Sequence, residues 1–217
     1  MKEDKLVTIT FKLTEFVQKN LNQILIIAGG VLVVALAVLF FISSASRRSK
    51  EADQLLAQAS FEFRIGNFQQ AVSDLNSVIT RYGGTKASAQ ATFLLANTYF
   101  YTKNYDLARQ TYQRYIDKYK KDLLFLGSAY AGIAQCHLEE KEYLPAGEYL
   151  LKASEADPKG FLAPSYLLSA GNAFKNGKDL ERAKQAYQKL IDQFPESVEW
   201  NQAQRELAEI TYGYQSS

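Results

Sequence analysis

The chain has 217 residues, a formal net charge of +2, one histidine and one cysteine. After residue 46 it carries 21 basic and 20 acidic residues, and this balance argues against a nucleic-acid partner, which requires a strongly basic face. The single cysteine, Cys136, cannot form an internal disulfide. The 171 residues from 47 to 217 are enough for one domain with a sizeable core.

The first twenty residues form a tail whose apolar side chains have helical spacing. Ile9, Leu13, Phe16 and Val17 fall on one face of a helix. This pattern predicts a short amphipathic helix over residues 1–20 that lies on a membrane surface. A disordered tail is the alternative.

An uncharged segment follows the tail. Residues 20–46 carry no charge, and the nineteen from Ile24 to Ile42 are almost wholly aliphatic. Because a bilayer core of ~30 Å needs about 20 helical residues, we expect a transmembrane helix over residues 21–46. A cleaved signal peptide is the alternative, but its apolar core would be shorter and would not follow a twenty-residue tail. No glycine or proline lies between Gly30 and Gly66, so the helix is expected to continue toward the next domain, with any bend near Ser43–Ser49.

The basic residues on the two sides of this segment indicate its orientation. Four lysines precede the segment, and two arginines and one lysine follow it. The positive-inside rule therefore favours, by a small margin, a cytoplasmic N-terminus and a C-terminal domain outside the cytoplasm.

The rest of the chain repeats a pattern of small and large residues at intervals of 37 or 38. The repeated small residues are four alanines, Ala71, Ala108, Ala146 and Ala183, each preceded twelve positions earlier by another small residue, Ala59, Ala96, Ala134 and Gly171. Short polar turns lie between the two halves of each unit, at Gly66-Asn67, Lys103-Asn104, Lys141-Glu142 and Gly177-Lys178-Asp179. Each unit is therefore predicted to be two antiparallel helices that pack closely at the small residues.

This pattern resembles the tetratricopeptide repeat, from about Glu51 to Tyr214. A half-repeat, Ser197–Tyr212, is expected to form a capping helix that covers the last apolar face. The predicted fold is all-α: one N-terminal transmembrane helix, then a tetratricopeptide-repeat solenoid over residues 47–217 with four helix pairs and a capping helix.

The residues that carry enzyme chemistry are scarce. The sequence has neither a glycine loop for phosphate nor a His/Cys cluster with metal-ligand spacing. His137 stands where the other repeats have Tyr99 and Phe174, and Cys136 lies beside it, so both are interpreted as packed side chains. We therefore expect neither an enzyme nor a catalytic, cofactor or metal site, and no small-molecule substrate.

In stacked helix pairs the first helix of each pair lines the concave face, and this geometry selects the candidate partner-binding residues. They are Phe63, Phe93, Asn97, Phe100, Tyr101, Leu138, Leu168 and Asn172. Tetratricopeptide domains that bind a C-terminal carboxylate use lysines and arginines together with asparagine, and of these lysines only Lys175 is present. The groove is instead predicted to be aromatic around Phe93, Phe100 and Tyr101, and to suit an apolar segment of a partner. Packing of these rings against adjacent repeats is the alternative.

The whole arrangement of short tail, single span and repeats resembles the bacterial ancillary SecYEG translocon subunit family. That resemblance implies a scaffold protein in the bacterial inner membrane, with its repeats in the periplasm. It also implies two partners, the SecYEG translocon and a membrane-anchored periplasmic chaperone. The alternatives are an envelope adaptor of outer-membrane assembly or cell division, whose repeats look similar, and a structural oligomer that stacks through its solenoids.

Overall fold

The computed structural model describes residues 3–119 and 125–213, which form ten helices and no strand. The predicted all-α class is thereby confirmed. The helices are α1 (Glu3–Lys19), α2 (Leu21–Arg64), α3 (Phe68–Arg81), α4 (Lys86–Tyr101), α5 (Tyr105–Tyr119), α6 (Leu126–Glu139), α7 (Tyr143–Ala156), α8 (Ala163–Asn176), α9 (Leu180–Gln193) and α10 (Trp200–Tyr212).

The chain divides into two compact units, residues 1–50 and 51–217. The first unit holds α1 and the apolar part of α2, and that part is the one stretch of the described chain long and apolar enough to cross a membrane. None of this apolar stretch is buried against other parts of the protein. Helix α2 continues without interruption over 44 residues. It passes through Ser43–Ser49, as the lack of helix breakers predicted. The predicted domain limits at residues 20 and 46 stay predictions.

The second unit consists of helix pairs. The end of α2 packs against α3, with Ala59 beside Ala71 and Leu75 in one core cluster. The next pairs are α4 with α5, α6 with α7, and α8 with α9, while α10 packs on α9 as the predicted cap. The small residues lie where the helices cross: the seven repeated alanines have no solvent exposure, and Gly171 is buried. A methyl group or a hydrogen at these positions lets two helix backbones approach closely, so the repeat pattern is a packing pattern.

The turn between the two helices of each pair has the same geometry in all four repeats. The second residue after the first helix adopts positive φ in each case: 79° at Gly66, 59° at Lys103, 61° at Lys141 and 64° at Lys178. The amide of the next residue then bonds to a carbonyl five positions back, as in Asp179 N to Phe174 O at 2.9 Å. This is a Schellman-type helix end, in which glycine is usual and lysine costs about 1–2 kcal/mol of backbone strain.

Charged side chains link successive pairs across the surface. Arg182 of α9 donates to Glu148 of α7 at 2.9 Å, and Lys189 donates to Glu155 at 3.2 Å. These pairs are largely exposed, so each contributes little to stability. Both pairs join the second helices of the last two repeats, α7 and α9.

Candidate protein-binding face

The eight predicted binding residues differ in how far solvent reaches them. Tyr101, the last residue of α4, is 62% exposed and is the one clearly open side chain of the set. Leu168 is only 9% exposed and belongs to the core of the last two repeats. The remaining residues are half-buried: Phe63, Phe93, Asn97, Phe100, Leu138 and Asn172. The set is therefore a mixture of core and surface, and its role in binding stays a prediction.

The two asparagines are positioned by buried tyrosines of the second helices. The Tyr112 hydroxyl donates to Asn97 Oδ1, and the Tyr187 hydroxyl donates to Asn172 Oδ1 at 2.7 Å. Burial raises the pKa of both tyrosines, so the hydroxyls stay protonated donors at any ordinary pH. This hydrogen bond fixes the orientation of each amide, which has its NH₂ group and the second lone pair of Oδ1 to offer to a ligand.

Five aromatic rings meet at the turns of the first two repeats. This turn-edge ring cluster consists of Phe63, Phe68, Phe100, Tyr101 and Tyr105. Tyr101 lies at its centre, with ring centroids 5.5 Å from Phe63, 5.9 Å from Phe100 and 6.3 Å from a nearly parallel Phe68. One face of the Tyr101 side chain is held by rings while most of its surface stays in solvent.

Phe93 belongs to a separate set of rings. Its centroid lies 4.9 Å from Phe125 and 5.7 Å from both Tyr112 and Tyr115. Tyr115 is fully buried, so this second cluster is part of the core between α4, α5 and α6. The predicted groove of Phe93, Phe100 and Tyr101 is thus split between a core contact and a surface cluster.

A family comparison now identifies the repeats. The sequence profile of the tetratricopeptide repeat-like domain family matches residues 14–210. The chain belongs to this family. Tetratricopeptide repeat domains mediate protein–protein interactions and are typically not enzymes, so a protein partner is the general expectation for the solenoid. A comparison with curated protein sequences gives no match.

Solved tetratricopeptide-type structures superpose well on the chain. The crystal structure of MamA gives a TM-score of 0.56 at 15% identity, over 72% of this chain and 84% of that one. The apo form of RapI gives 0.59 at 16%, over 76% and 64% respectively. The Pseudomonas aeruginosa protein PilF gives 0.56 at 18%, over 77% and 71%. At such low identities the likeness shows a shared fold.

Lys175, the one lysine available to a carboxylate-binding groove, is already paired. Its ammonium donates to Glu206 at 2.8 Å and to Glu209 at 3.0 Å, both on α10 of the tetratricopeptide repeat domain. These hydrogen bonds raise the pKa of Lys175, which stays charged but neutralised. A C-terminal carboxylate would have to displace two glutamates from it, so the geometry gives no support to a carboxylate clamp.

His137 and Cys136 lie at the end of α6. His137 Nδ1 is 2.6 Å from a Glu142 carboxylate oxygen, and its ring stacks on Tyr149 with centroids 5.6 Å apart. Cys136 is fully buried, and burial raises the pKa of its thiol to about 12. The histidine is therefore a packed, hydrogen-bonded side chain and the cysteine an unreactive core residue, as the repeat alignment predicted.

A group of possible metal ligands surrounds this histidine, although the sequence did not suggest it. One ligand atom each from His137, Glu140 and Glu142 lie within 4.8 Å of one another. Glu140, however, forms an ion pair with Arg109, whose guanidinium charge opposes a cation at this place. The arrangement is better explained as a His137–Glu142 hydrogen bond beside an Arg109–Glu140 ion pair, both next to the turn at Lys141.

Sequence reasoning missed two surface features of the tetratricopeptide repeat domain. A cavity of about 620 Å³ lies along α5, and Arg109, Arg114, Lys118 and Tyr149 are among the residues that line it. It is built on a second helix, whereas the prediction considered only first helices. Exposed loop residues form the other feature: Phe161 is 93% and Val198 is 89% exposed. Their separation of 37 residues equals the repeat interval, a signal that the sequence did contain.

Proposed function

We propose that the protein is a membrane-anchored scaffold that binds other proteins through the first helices of its tetratricopeptide repeats. The observation that carries this proposal is the extent of the family match. It runs from residue 14 to residue 210 and so includes the apolar segment as well as every repeat. An anchor and an interaction domain in one family unit suit a protein that collects partners at a membrane.

The exposure of the apolar segment supports the anchor. Fourteen of the nineteen residues from Ile24 to Ile42 are Ile, Leu, Val or Phe, and none of the apolar window is covered by protein. Such residues favour insertion by roughly 0.3–0.6 kcal/mol each at the centre of a bilayer. Lipid is the environment that removes this surface from water without a protein neighbour.

The proposed location is the bacterial inner membrane, with the repeats on the periplasmic side. There the scaffold would work with the SecYEG translocon and a membrane-anchored chaperone. The Lys/Arg bias around the span and the resemblance to the ancillary translocon subunits support this assignment. A reporter enzyme that works only in the periplasm is fused after Ser217, and we expect this fusion to be active. Activity of a cytoplasmic reporter at the same position would contradict both the location and the translocon partner.

The proposed contact combines one exposed ring with two oriented amides. Tyr101 offers an apolar anchor backed by the turn-edge ring cluster. Asn97 and Asn172 each offer an NH₂ group in a fixed direction, because a tyrosine hydroxyl bonded to the amide oxygen orients the side chain. A partner segment with an apolar side chain and free backbone carbonyls is complementary to such a surface.

Photo-crosslinking in native membranes tests the partner. A benzophenone amino acid at position 101 is expected to crosslink to translocon subunits and to a membrane-anchored chaperone. The matched control is the same group at Gln185, an exposed position on α9, a second helix. Crosslinks only to outer-membrane assembly or division proteins would favour the envelope adaptor, and crosslinks only between copies of this chain would favour a structural oligomer. Equal yields at both positions would contradict a contact through first helices.

Two single variants separate binding from folding. Tyr101→Ala removes an exposed ring. The binding free energy should therefore weaken by about 2 kcal/mol, which raises Kd roughly thirty-fold, while the melting temperature changes little. Phe93→Ala removes a ring packed on three others, and it should lower stability by roughly 3 kcal/mol or more. A folded Tyr101→Ala protein that binds as well as wild type would rule out this part of the surface.

A further inference from the structure

Helix α1 presents one continuous apolar face to solvent. Ile9 is 55%, Leu13 58%, Phe16 64% and Val17 38% exposed. The positions are four, three and one residues apart, and at about 100° per residue they fall within an arc of about 100° around the helix. A helix that leaves such an arc uncovered needs an apolar surface beside it.

In the second half of α1, charged and polar residues are arranged around this arc in a particular order. Lys12 and Lys19 lie about 40–60° beyond Phe16, at one border of the apolar face. Glu15 and Gln18 lie farther round, on the opposite side of the helix. Lysines at the border of an apolar face can extend their ammonium groups into lipid headgroups while their methylene chains stay in apolar surroundings.

The connection to α2 keeps this face close to the apolar segment. Helix α1 ends at Lys19 and α2 begins at Leu21, so Asn20 is the one residue between them. Its side-chain amide donates to Phe16 O at 2.9 Å and its backbone amide to the same oxygen at 3.1 Å, which closes the end of α1. About one helical turn then separates Asn20 from Ile24, where the aliphatic stretch starts.

We infer that α1 lies in the headgroup region of the bilayer, with its apolar arc toward the acyl chains and Lys12 and Lys19 on anionic headgroups. The inference rests on the proposed anchoring of α2, because it is the anchor that places α1 at the boundary of the hydrocarbon. The face is apolar and bordered by positive charge on one side, and both properties are complementary to an anionic lipid surface.

Spin-label accessibility in the full-length protein tests the placement. The buried Cys136 is replaced by alanine, and single labels are attached at positions 13, 15, 16 and 18 in vesicles of phosphatidylcholine and phosphatidylglycerol. Labels at Leu13 and Phe16 should contact oxygen dissolved in lipid, whereas labels at Glu15 and Gln18 should contact a water-soluble nickel complex. A label at Leu36, in the apolar segment, serves as the control for the anchor.

The outcomes separate this inference from the anchoring on which it rests. If position 36 lies in lipid while positions 13 and 16 contact water as much as 15 and 18 do, the anchor stands and the interfacial helix is refuted. If positions 13 and 16 are shielded from both reagents, a protein covers the face and the lipid assignment is also refuted. If position 36 contacts water, both the anchor and the inference fail.

The lysine contribution has its own measurement. The label at Phe16 should sit deeper in vesicles that contain phosphatidylglycerol than in pure phosphatidylcholine. Replacing both Lys12 and Lys19 by glutamine should abolish this difference, while Glu15→Gln, on the opposite side of the helix, should preserve it. A depth at position 16 that does not respond to the anionic lipid in the wild-type protein would overturn the role of the lysines.

Discussion

Gly171 lies against the buried ring of Tyr187, and replacing this glycine should reverse the usual effect of a glycine-to-alanine change. A Cβ built on Gly171 would lie 2.3 Å from Tyr187 Cε1, whereas carbon atoms in contact are normally about 3.5–4.0 Å apart. Tyr187 has no solvent exposure, and its hydroxyl is held by Asn172. The ring therefore has to shift by more than 1 Å or lose its hydrogen bond.

The size of the effect follows from two opposing contributions. Alanine in place of glycine inside a helix normally stabilises by roughly 0.5–1 kcal/mol. Overpacking a closed core costs about 1–3 kcal/mol. Gly171→Ala should therefore destabilise by about 1–2 kcal/mol, which for a domain of this size lowers the melting temperature by about 2–8 °C. Thermal melting of the full-length protein in mild detergent, followed by circular dichroism at 222 nm, measures this shift.

Two of the repeats provide the compensating change. The first and third repeats pair alanine with leucine at the equivalent places, Ala59 with Leu75 and Ala134 with Leu150, and all four residues are buried. The second repeat pairs Ala96 with Tyr112, but there the ring lies against Gly132 of the next repeat. Gly171→Ala should consequently be neutral or stabilising in a Tyr187→Leu background, with a coupling free energy of about 1–3 kcal/mol between the two sites. An equal effect of Gly171→Ala in both backgrounds would refute the proposed contact with the ring.

Three other stability predictions concern the repeats. Ala134→Leu should overfill a helix crossing and cost about 1–3 kcal/mol in urea unfolding, and an unchanged midpoint would contradict close packing there. Lys103→Gly should stabilise by up to about 1 kcal/mol because it relieves positive φ, whereas Gly66→Ala should destabilise; thermal melts with shifts of the same sign would contradict the turn geometry. Hydrogen bonds from the Arg182 backbone amide and side chain hold the pKa of Asp179 below its usual value of 3.8. The stabilisation by Asp179 is thus present above pH 3.8 and lost as pH falls through the folded-state pKa, so Asp179→Ala should lower the melting temperature at pH 7 and converge with wild type in acid.

The helix pairs could be predicted from sequence because their determinants recur. A small residue is required wherever two backbones cross, and the same requirement repeated four times gives a visible interval. The turns were located in the same way, from Gly66-Asn67 and its equivalents. Their left-handed residue was not predicted at Lys103, Lys141 and Lys178, because lysine has no preference for positive φ and is held there by the packing of the helices on both sides.

The predicted groove shows where sequence reasoning stops. Phe93 and Phe100 are seven residues apart and so share a face of α4, but spacing does not tell which neighbour covers each ring. Phe93 is covered because Tyr112, Tyr115 and Phe125 meet it from α5 and from the start of α6. Those contacts depend on how two repeats stack, and the residue spacing within one helix does not determine this stacking.

The spacing between the two asparagines and the tyrosines that bond to them forms a pattern in the sequence. In the second and fourth repeats a tyrosine follows an asparagine by fifteen residues, as Tyr112 follows Asn97 and Tyr187 follows Asn172. In the first and third repeats leucine takes the place of the tyrosine, and the earlier position holds Ser60 or Gln135. Tyrosine and asparagine thus occur together or not at all within the four repeats.

This alternation constrains what the proposed binding surface on the first helices can recognise. The tyrosine hydroxyl orients each amide and takes one lone pair of its oxygen, so in the proposed site Asn97 and Asn172 present their NH₂ donors to acceptors such as backbone carbonyls. They stand two repeats apart, with a repeat between them that lacks the tyrosine. A partner that satisfies both must extend along the solenoid, and one that also reaches Tyr101 must carry an apolar side chain near one end. Tyr112→Phe should therefore weaken partner capture without removing any side chain that touches the partner, because Asn97 would lose its fixed orientation; unchanged capture by a folded Tyr112→Phe protein would show that the amide is not used.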